Sequence, residues 1–319
     1  MDKGSLGLIF HEVLTLYFNG PDSLEPQEMH FSDFSDWLSQ TSSYRADLLK
    51  KQHEFWTETL KDAQPTSLMS STPPSEEPLS DLTEIEVTMD ASTLALCHSL
   101  MKEVGAMPSE GFFAVYNALL CNYSSQQTMI VGTAVAQRIT AQLANVVGPL
   151  ATFLPIKTTV DPNQTFQEYL TGFKEDLSKG LENGGVIYED ANPDLPDPSQ
   201  LCKQSFSYNE MNLDAISELE IEGLQVKNFR SLSKVKDERQ ELVLDVYGKS
   251  GRIILQFNNR LFSEEKARKF LDTYIALVEA VCRSPDSKMC DLSVFNPAAE
   301  PKTPPASETD PLVTETNIA

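Results

Sequence analysis

Residues Val131-Gly-Thr-Ala-Val-Ala-Gln-Arg138, followed by Val147-Gly-Pro-Leu-Ala-Thr-Phe-Leu-Pro-Ile-Lys157, decide how the chain is read. Ile130, Val131, Ala134 and Val135 make a short apolar, partly β-branched run, the pattern of a buried strand, and it closes on a lone arginine. Gly148-Pro149 then breaks the chain, and Phe153, Leu154 and Ile156 start a second strand. Upstream, Ile85, Val87 and Met89 alternate with polar residues as a half-exposed strand does. Asp90 can cap a helix from 92 to about 103. Pro108 opens a heavily apolar helix carrying Phe112, Phe113, Tyr116 and Leu120.

Downstream, Thr165 caps a helix over 166–181 that stops at Asn183-Gly184-Gly185. Strands are expected at 204–209, 224–229 and 241–247, with hairpin-like spacing. Gly248-Lys-Ser-Gly251 is a turn, because glycine takes positive φ without steric cost, and 251–258 returns as a further strand. Ser263 caps a helix from 264 to about 281. Strand and helix blocks interleave without a strict βαβ rhythm. The expected fold is therefore α+β, a layered sandwich of one mixed β-sheet with helices on one face.

At the other end, Leu6, Ile9, Phe10, Val13, Leu14 and Phe18 recur at helical spacing, with Ser5 as a suitable N-cap and Asn19-Gly20-Pro21 as the stop. A loop over 21–30 leads to helices over 32–38 and 44–60. Proline, serine and charge dominate 65–78, and proline, serine and threonine dominate 297–319. Such segments bury too little apolar surface to offset ordering their backbone. The expected organisation is helices over 1–64, a flexible linker over 65–82, the main lobe over 83–296 and a disordered tail over 297–319.

The 319 residues carry a net charge of −22, which argues against nucleic acid and anionic membrane surfaces as partners. Five cysteines show no Cys-x-x-Cys spacing, so the expected state is reduced and the expected compartment cytoplasmic. The four histidines, His11, His30, His53 and His98, have no companions at ligand spacing, and no metal site is expected. No phosphate-cradling glycine loop or Gly-x-Ser-x-Gly elbow is present.

The opening stretch resembles the condensation domains of nonribosomal peptide synthetases, members of the chloramphenicol-acetyltransferase-like acyltransferases. In that family a Gly-Thr-Pro-Val-Ala-Gly-Arg segment precedes Gly-Phe-Phe-Val-Asn-Thr-Leu-Pro-Leu-Arg. Here Ala134 and Gln137 replace the proline and second glycine, and Thr152 stands at the asparagine. Phe31-Ser-Asp-Phe-Ser-Asp-Trp37 and Gln52-His-Glu-Phe-Trp56 with Leu60 resemble its linker helices. Gln204-Ser-Phe-Ser-Tyr-Asn209 and Leu255-Gln-Phe-Asn-Asn-Arg-Leu-Phe262 resemble two of its strands, and Gly185-Val-Ile-Tyr-Glu-Asp190 with Leu195 one of its short helical segments. The family's catalytic His-His-x-x-x-Asp-Gly is matched only from its Asp onward: Asp2 takes that place and Lys3 stands at the glycine, which puts both histidines before Met1. The chain is thus expected to be the C-terminal part of a condensation domain, with 1–64 holding remnant helices of the N-terminal lobe.

The resemblance implies that Asp2 and Arg138 form a structural clamp at the site and that Ser5, Thr152 and Asn209 line a substrate tunnel; a catalytic residue is not identified. It implies no cofactor of the chain's own, only a phosphopantetheine-bound substrate on a partner carrier protein. The expected function is binding a polyketide or peptidyl intermediate in secondary-metabolite biosynthesis and assisting acyl transfer, release or cyclisation by positioning. Loss of a histidine base removes about 10²–10⁴-fold of rate and leaves positioning intact. The alternatives are a non-catalytic docking half of a split synthetase, completed by a complementary chain, and an inactive remnant. Homo-oligomerisation is expected to cover apolar surface on the first helix.

Overall fold

The computed structural model describes residues 2–40, 46–66, 68, 82–124, 126–138, 140–184, 201–210, 220–221, 224–225 and 240–292. Most of the expected linker, the segment from Gly185 through Leu195 and the expected tail lie outside these residues. The chain runs through α1 (Lys3–Asn19), α2 (Phe31–Gln40), α3 (Ala46–Leu60), β1 (Leu82–Thr88), α4 (Ala91–Glu103), α5 (Pro108–Ser124) and β2 (Thr128–Ala136). It continues with α6 (Ala141–Ala144), β3 (Ala151–Thr159), α7 (Phe166–Glu182), β4 (Gln204–Asn209), β5 (Glu220–Ile221), β6 (Leu224–Gln225), β7 (Leu242–Tyr247), β8 (Arg252–Asn258) and α8 (Glu264–Arg283).

The six-stranded sheet has the order β1-β8-β7-β4-β2-β3. It is mixed: β1, β8 and β7 pair antiparallel, β7, β4 and β2 parallel, and β2 and β3 antiparallel. The fold is thus α+β with helices layered on the sheet. Two expectations change. β4 and β7 are parallel neighbours rather than hairpin arms, so residues 210–241 carry the chain back to the starting edge, as a parallel pair requires. The strand expected at 224–229 is represented by β6, which pairs with β5 in a separate two-stranded sheet; residues 226–229 are not among those described.

Local signals explain most element ends. Asp90 caps α4 by accepting from the Thr93 N–H, and Ser263 caps α8 through the Lys266 N–H. Thr165 and Glu168 form a reciprocal capping box on α7. The β7–β8 hairpin turns on Gly251, whose φ of 70° is the left-handed conformation that favours glycine.

The core lies between the sheet and α5, α7 and α8. Phe113 of α5 stacks on Phe206 of β4 with ring centroids 4.6 Å apart, and the buried Tyr274 of α8 donates its hydroxyl to the Phe112 carbonyl at 3.0 Å. Cys97 and Cys282 meet there as free thiols 3.1 Å apart. Their mutual contact and then burial push the Cys282 thiol up, the condition of an unreactive core cysteine. A second, smaller cluster of Leu143, Val146 and Leu150 seats Phe31 and Phe34 of α2 on the connection between β2 and β3. Among the described residues no helix is long and apolar enough to cross a membrane.

Strand alternation sorts the sheet's side chains. Register places Thr133, Leu154, Phe206 and Tyr208 on the helix-covered face and Ser205, Ser207, Asn209 and Asp245 on the other. β2 and β4 pair only at Gly132–Ser205 and Thr133–Phe206, whereas β2 runs on to Ala136 and β4 to Asn209. The sheet therefore opens between these two strands toward their C-terminal ends, and α1 begins at that opening.

Candidate functional site

Arg138 lies two residues beyond β2, where the chain leaves the sheet. Its guanidinium meets Asp2 in a two-pronged ion pair, Nη1 to Oδ2 at 2.7 Å and Nη2 to Oδ1 at 2.9 Å. This planar fork-to-carboxylate arrangement is the strong form of a charge-assisted bond. Nη2 also reaches the Ser5 hydroxyl at 2.8 Å and the Val146 carbonyl at 3.1 Å. Both side chains are largely out of solvent, at 12% and 11% exposed. Gly4 makes the approach possible, since a Cβ there would lie 2.9 Å from Arg138 Nη1.

Asp2, rather than Ser5, is the N-cap of α1 and accepts from the Ser5 N–H at 2.9 Å. A carboxylate held by an arginine is the better acceptor, and Ser5 is left one turn inside the helix to do something else. Its buried hydroxyl accepts from the Gly148 N–H at 2.9 Å and can donate to the Gly148 carbonyl at 2.8 Å or to Asp2. Asp2 Oδ2 accepts from the Leu150 N–H at 2.9 Å. Asp2, Ser5 and Arg138 thus tie the start of α1 to both ends of the β2–β3 connection. None of the four histidines is hydrogen-bonded to this cluster among the described residues.

Burial by itself raises the Asp2 carboxyl. The bonds from Arg138, the Ser5 N–H and the Ser5 hydroxyl, together with the guanidinium charge, outweigh it and hold the group at about 2, below its ordinary 3.8. The folded carboxyl is the more acidic one, so its contribution to stability is complete above about pH 4 and is lost as pH falls toward about 2. The urea midpoint of the wild-type chain should fall across that window more steeply than that of Asp2→Asn; parallel curves would remove the clasp as a source of acid sensitivity.

Thr152 and Asn209 are not brought together. Thr152 pairs with Val135 and faces the helices, buried and with its hydroxyl unbonded among the described residues, whereas Asn209 projects from the opposite face. Asn209 instead joins a polar group that sequence reasoning missed. Lys3, noted only as standing at a glycine position, extends from the first turn of α1 and places Nζ 2.8 Å from Asp245 Oδ1 and 3.4 Å from both Ser207 Oγ and Asn209 Oδ1. Asp245 is buried on β7. A signal was available: in Leu242-Val-Leu-Asp-Val-Tyr247 it is the one charge in an otherwise apolar strand, and a buried carboxylate demands a partner. Asp2 and Lys3, adjacent in sequence, therefore engage opposite sides of the opening between β2 and β4.

A two-layer α+β lobe with an Asp–Arg–Ser clasp at the head of its first helix is the class of structure these observations define. The Condensation domain family model matches residues 1–302, and the chain belongs to that family. Bacitracin synthase 3 of Bacillus licheniformis is 25% identical over 305 residues, covering 92% of this chain and 5% of that protein. Surfactin synthase subunit 1 of Bacillus subtilis (strain 168) is 26% identical over 301 residues, covering 92% of this chain and 8% of that one. Among solved structures, the X-domain from teicoplanin biosynthesis superposes with a TM-score of 0.73 at 18% identity, covering 91% of this chain and 69% of its own. The condensation domain from Monacolin K polyketide synthase MokA does so with a TM-score of 0.70 at 16% identity, covering 90% and 68%. The fold is that of the chloramphenicol-acetyltransferase-like proteins, and the chain spans only a small part of the curated synthetases it matches.

Proposed function

We propose that this protein binds a polyketide or peptidyl intermediate, presented as a pantetheine thioester by a carrier partner, and assists acyl transfer, release or cyclisation in secondary-metabolite biosynthesis. Family membership supports the acyl-handling part, since condensation domains act with carrier domains bearing phosphopantetheine. The observation that carries the reading is the Asp2–Arg138–Ser5 clasp. A bidentate, largely buried ion pair organises the very segment that resembles the family's catalytic loop, and that is where positioning would be exerted. The reading assigns Asp2, Arg138 and Ser5 to holding the loop and Asn209 to the substrate side. Thr152 is a supporting residue behind the strand. It requires no metal or cofactor of the chain's own. The test is direct: purified protein is mixed with an acyl-pantetheine thioester and an amine or internal nucleophile, and products are followed by mass spectrometry. Turnover above the buffer rate that disappears in Arg138→Ala supports the reading, and none in either sinks the catalytic part.

A second reading, a non-catalytic docking half of a split synthetase, is favoured by α1. Of its 17 residues only Ser5 is buried, while Val13, Leu16, Tyr17 and Phe18 are exposed at 54%, 38%, 61% and 47%. A contiguous apolar helix surface of this kind marks an interface with a partner chain or a second copy. The wild-type chain should sediment as an oligomer at micromolar concentration, and Val13→Glu/Tyr17→Glu should shift it to monomer. An unchanged sedimentation coefficient would count against α1 as the contact.

A further inference from the structure

We propose that the face of the sheet beneath Lys3 selects acyl groups that carry hydroxyl, keto or amide functions along the chain and rejects plain hydrocarbon. This rests on the proposed binding of acyl-pantetheine thioesters. Ser207 and Asn209 on β4 and Asp245 on β7 lie side by side on the face away from α5, α7 and α8, Ser207 being in register with Asp245. Lys3 reaches them from α1 and remains accessible, with 54% of its side chain exposed against 8% for Asp245.

The bonding in this group is uneven. An ammonium has three donors, and Lys3 commits one of them well, to Asp245 at 2.8 Å. Its contacts with Ser207 and Asn209 are at 3.4 Å, and Asn209 Nδ2 donates to Ser207 Oγ at 3.3 Å. These are at the long end for hydrogen bonds. A carbonyl or hydroxyl oxygen laid over the strands could accept one free Lys3 donor and the Asn209 amide at little cost, leaving the Asp245 pair intact. An alkyl chain in the same place would strip water from an ion pair and from two polar side chains and return no bonds. A site whose polar groups are satisfied by one ligand and orphaned by another discriminates strongly between them. The clasp holds the backbone of Lys3 at the head of α1, and Asp245 fixes its side chain from the far side of the strand opening.

Calorimetric titration of the full chain with 3-hydroxyoctanoyl-pantetheine and octanoyl-pantetheine tests this. The hydroxylated thioester should bind at least about tenfold more tightly, the effect of one or two added hydrogen bonds. The ratio should fall to near one in Lys3→Met/Asp245→Asn, which removes both charges together and leaves neither buried alone. Ser207→Ala, a milder change, should reduce the ratio without altering the melting temperature. Equal or tighter binding of the octanoyl thioester by the wild type overturns the proposal, as does a preference undiminished in both variants, while either result leaves thioester binding itself standing. If neither thioester binds, the acyl-binding reading falls and this one with it.

Discussion

Arg138→Ala should destabilise the protein by roughly 3–5 kcal/mol, the usual consequence of removing one partner from a buried ion pair. For a chain of this size that lowers the melting temperature by about 5–7 °C. The cost is large because the guanidinium serves several acceptors at once: both Asp2 oxygens, the Ser5 hydroxyl and the Val146 carbonyl. In its absence the Asp2 carboxylate keeps only the bonds from Ser5 and Leu150 in a partly desolvated place. Arg138→Lys should recover a minor part, since a point charge cannot reproduce the fork. Differential scanning calorimetry decides it; a variant melting within a degree of the wild type would show that the clasp holds nothing.

Trp56→Ala should cost a similar amount, roughly 3–5 kcal/mol, through the cavity left by a large buried ring. Trp56 is 1% exposed on α3, its indole N–H donates to the Asn183 carbonyl at 3.0 Å just past α7, and Phe55 meets it edge-on at 5.0 Å. With the buried Leu60 and the bond from Lys157 Nζ to the Thr59 carbonyl at 2.8 Å, it fastens α3 to the main lobe. Trp56→Phe keeps most of the volume and loses the donor, so it should cost only about 1–3 kcal/mol. Urea denaturation monitored by far-ultraviolet circular dichroism gives both values, and equal midpoints for the two variants would mean that packing contributes little there.

The elements were legible wherever a local rule sets them. Thr165 with Glu168, Asp90, Ser263 and Gly251 mark helix starts and a turn by chemistry confined to a few neighbouring residues, and the structure uses each in that way. Ser5 was misplaced as a cap for the opposite reason. Asp2 and Ser5 are both good caps in isolation, and the choice between them is made by Arg138, 136 residues away. The pairing of β4 with β7 was unreadable as parallel, because spacing along the chain does not say whether the chain crosses back.

The candidate site divides along the same line. Asp2 and Arg138 could be singled out because they sit in segments with a recognisable order of residue types. That Thr152 and Asn209 point to opposite faces follows only from the register of the assembled sheet. The Lys3–Asp245 pair joins residues 242 positions apart, and nothing near either one names the other. By itself, then, the order of amino acids determined most of the helices and strands, the family and the Asp2–Arg138 part of the clasp, since periodicity, capping and motif order act over short distances. Only tertiary structure decided which strands adjoin, which face each side chain takes and which charge neutralises Asp245. Those depend on the twofold alternation of a sheet whose neighbours come from remote parts of the chain.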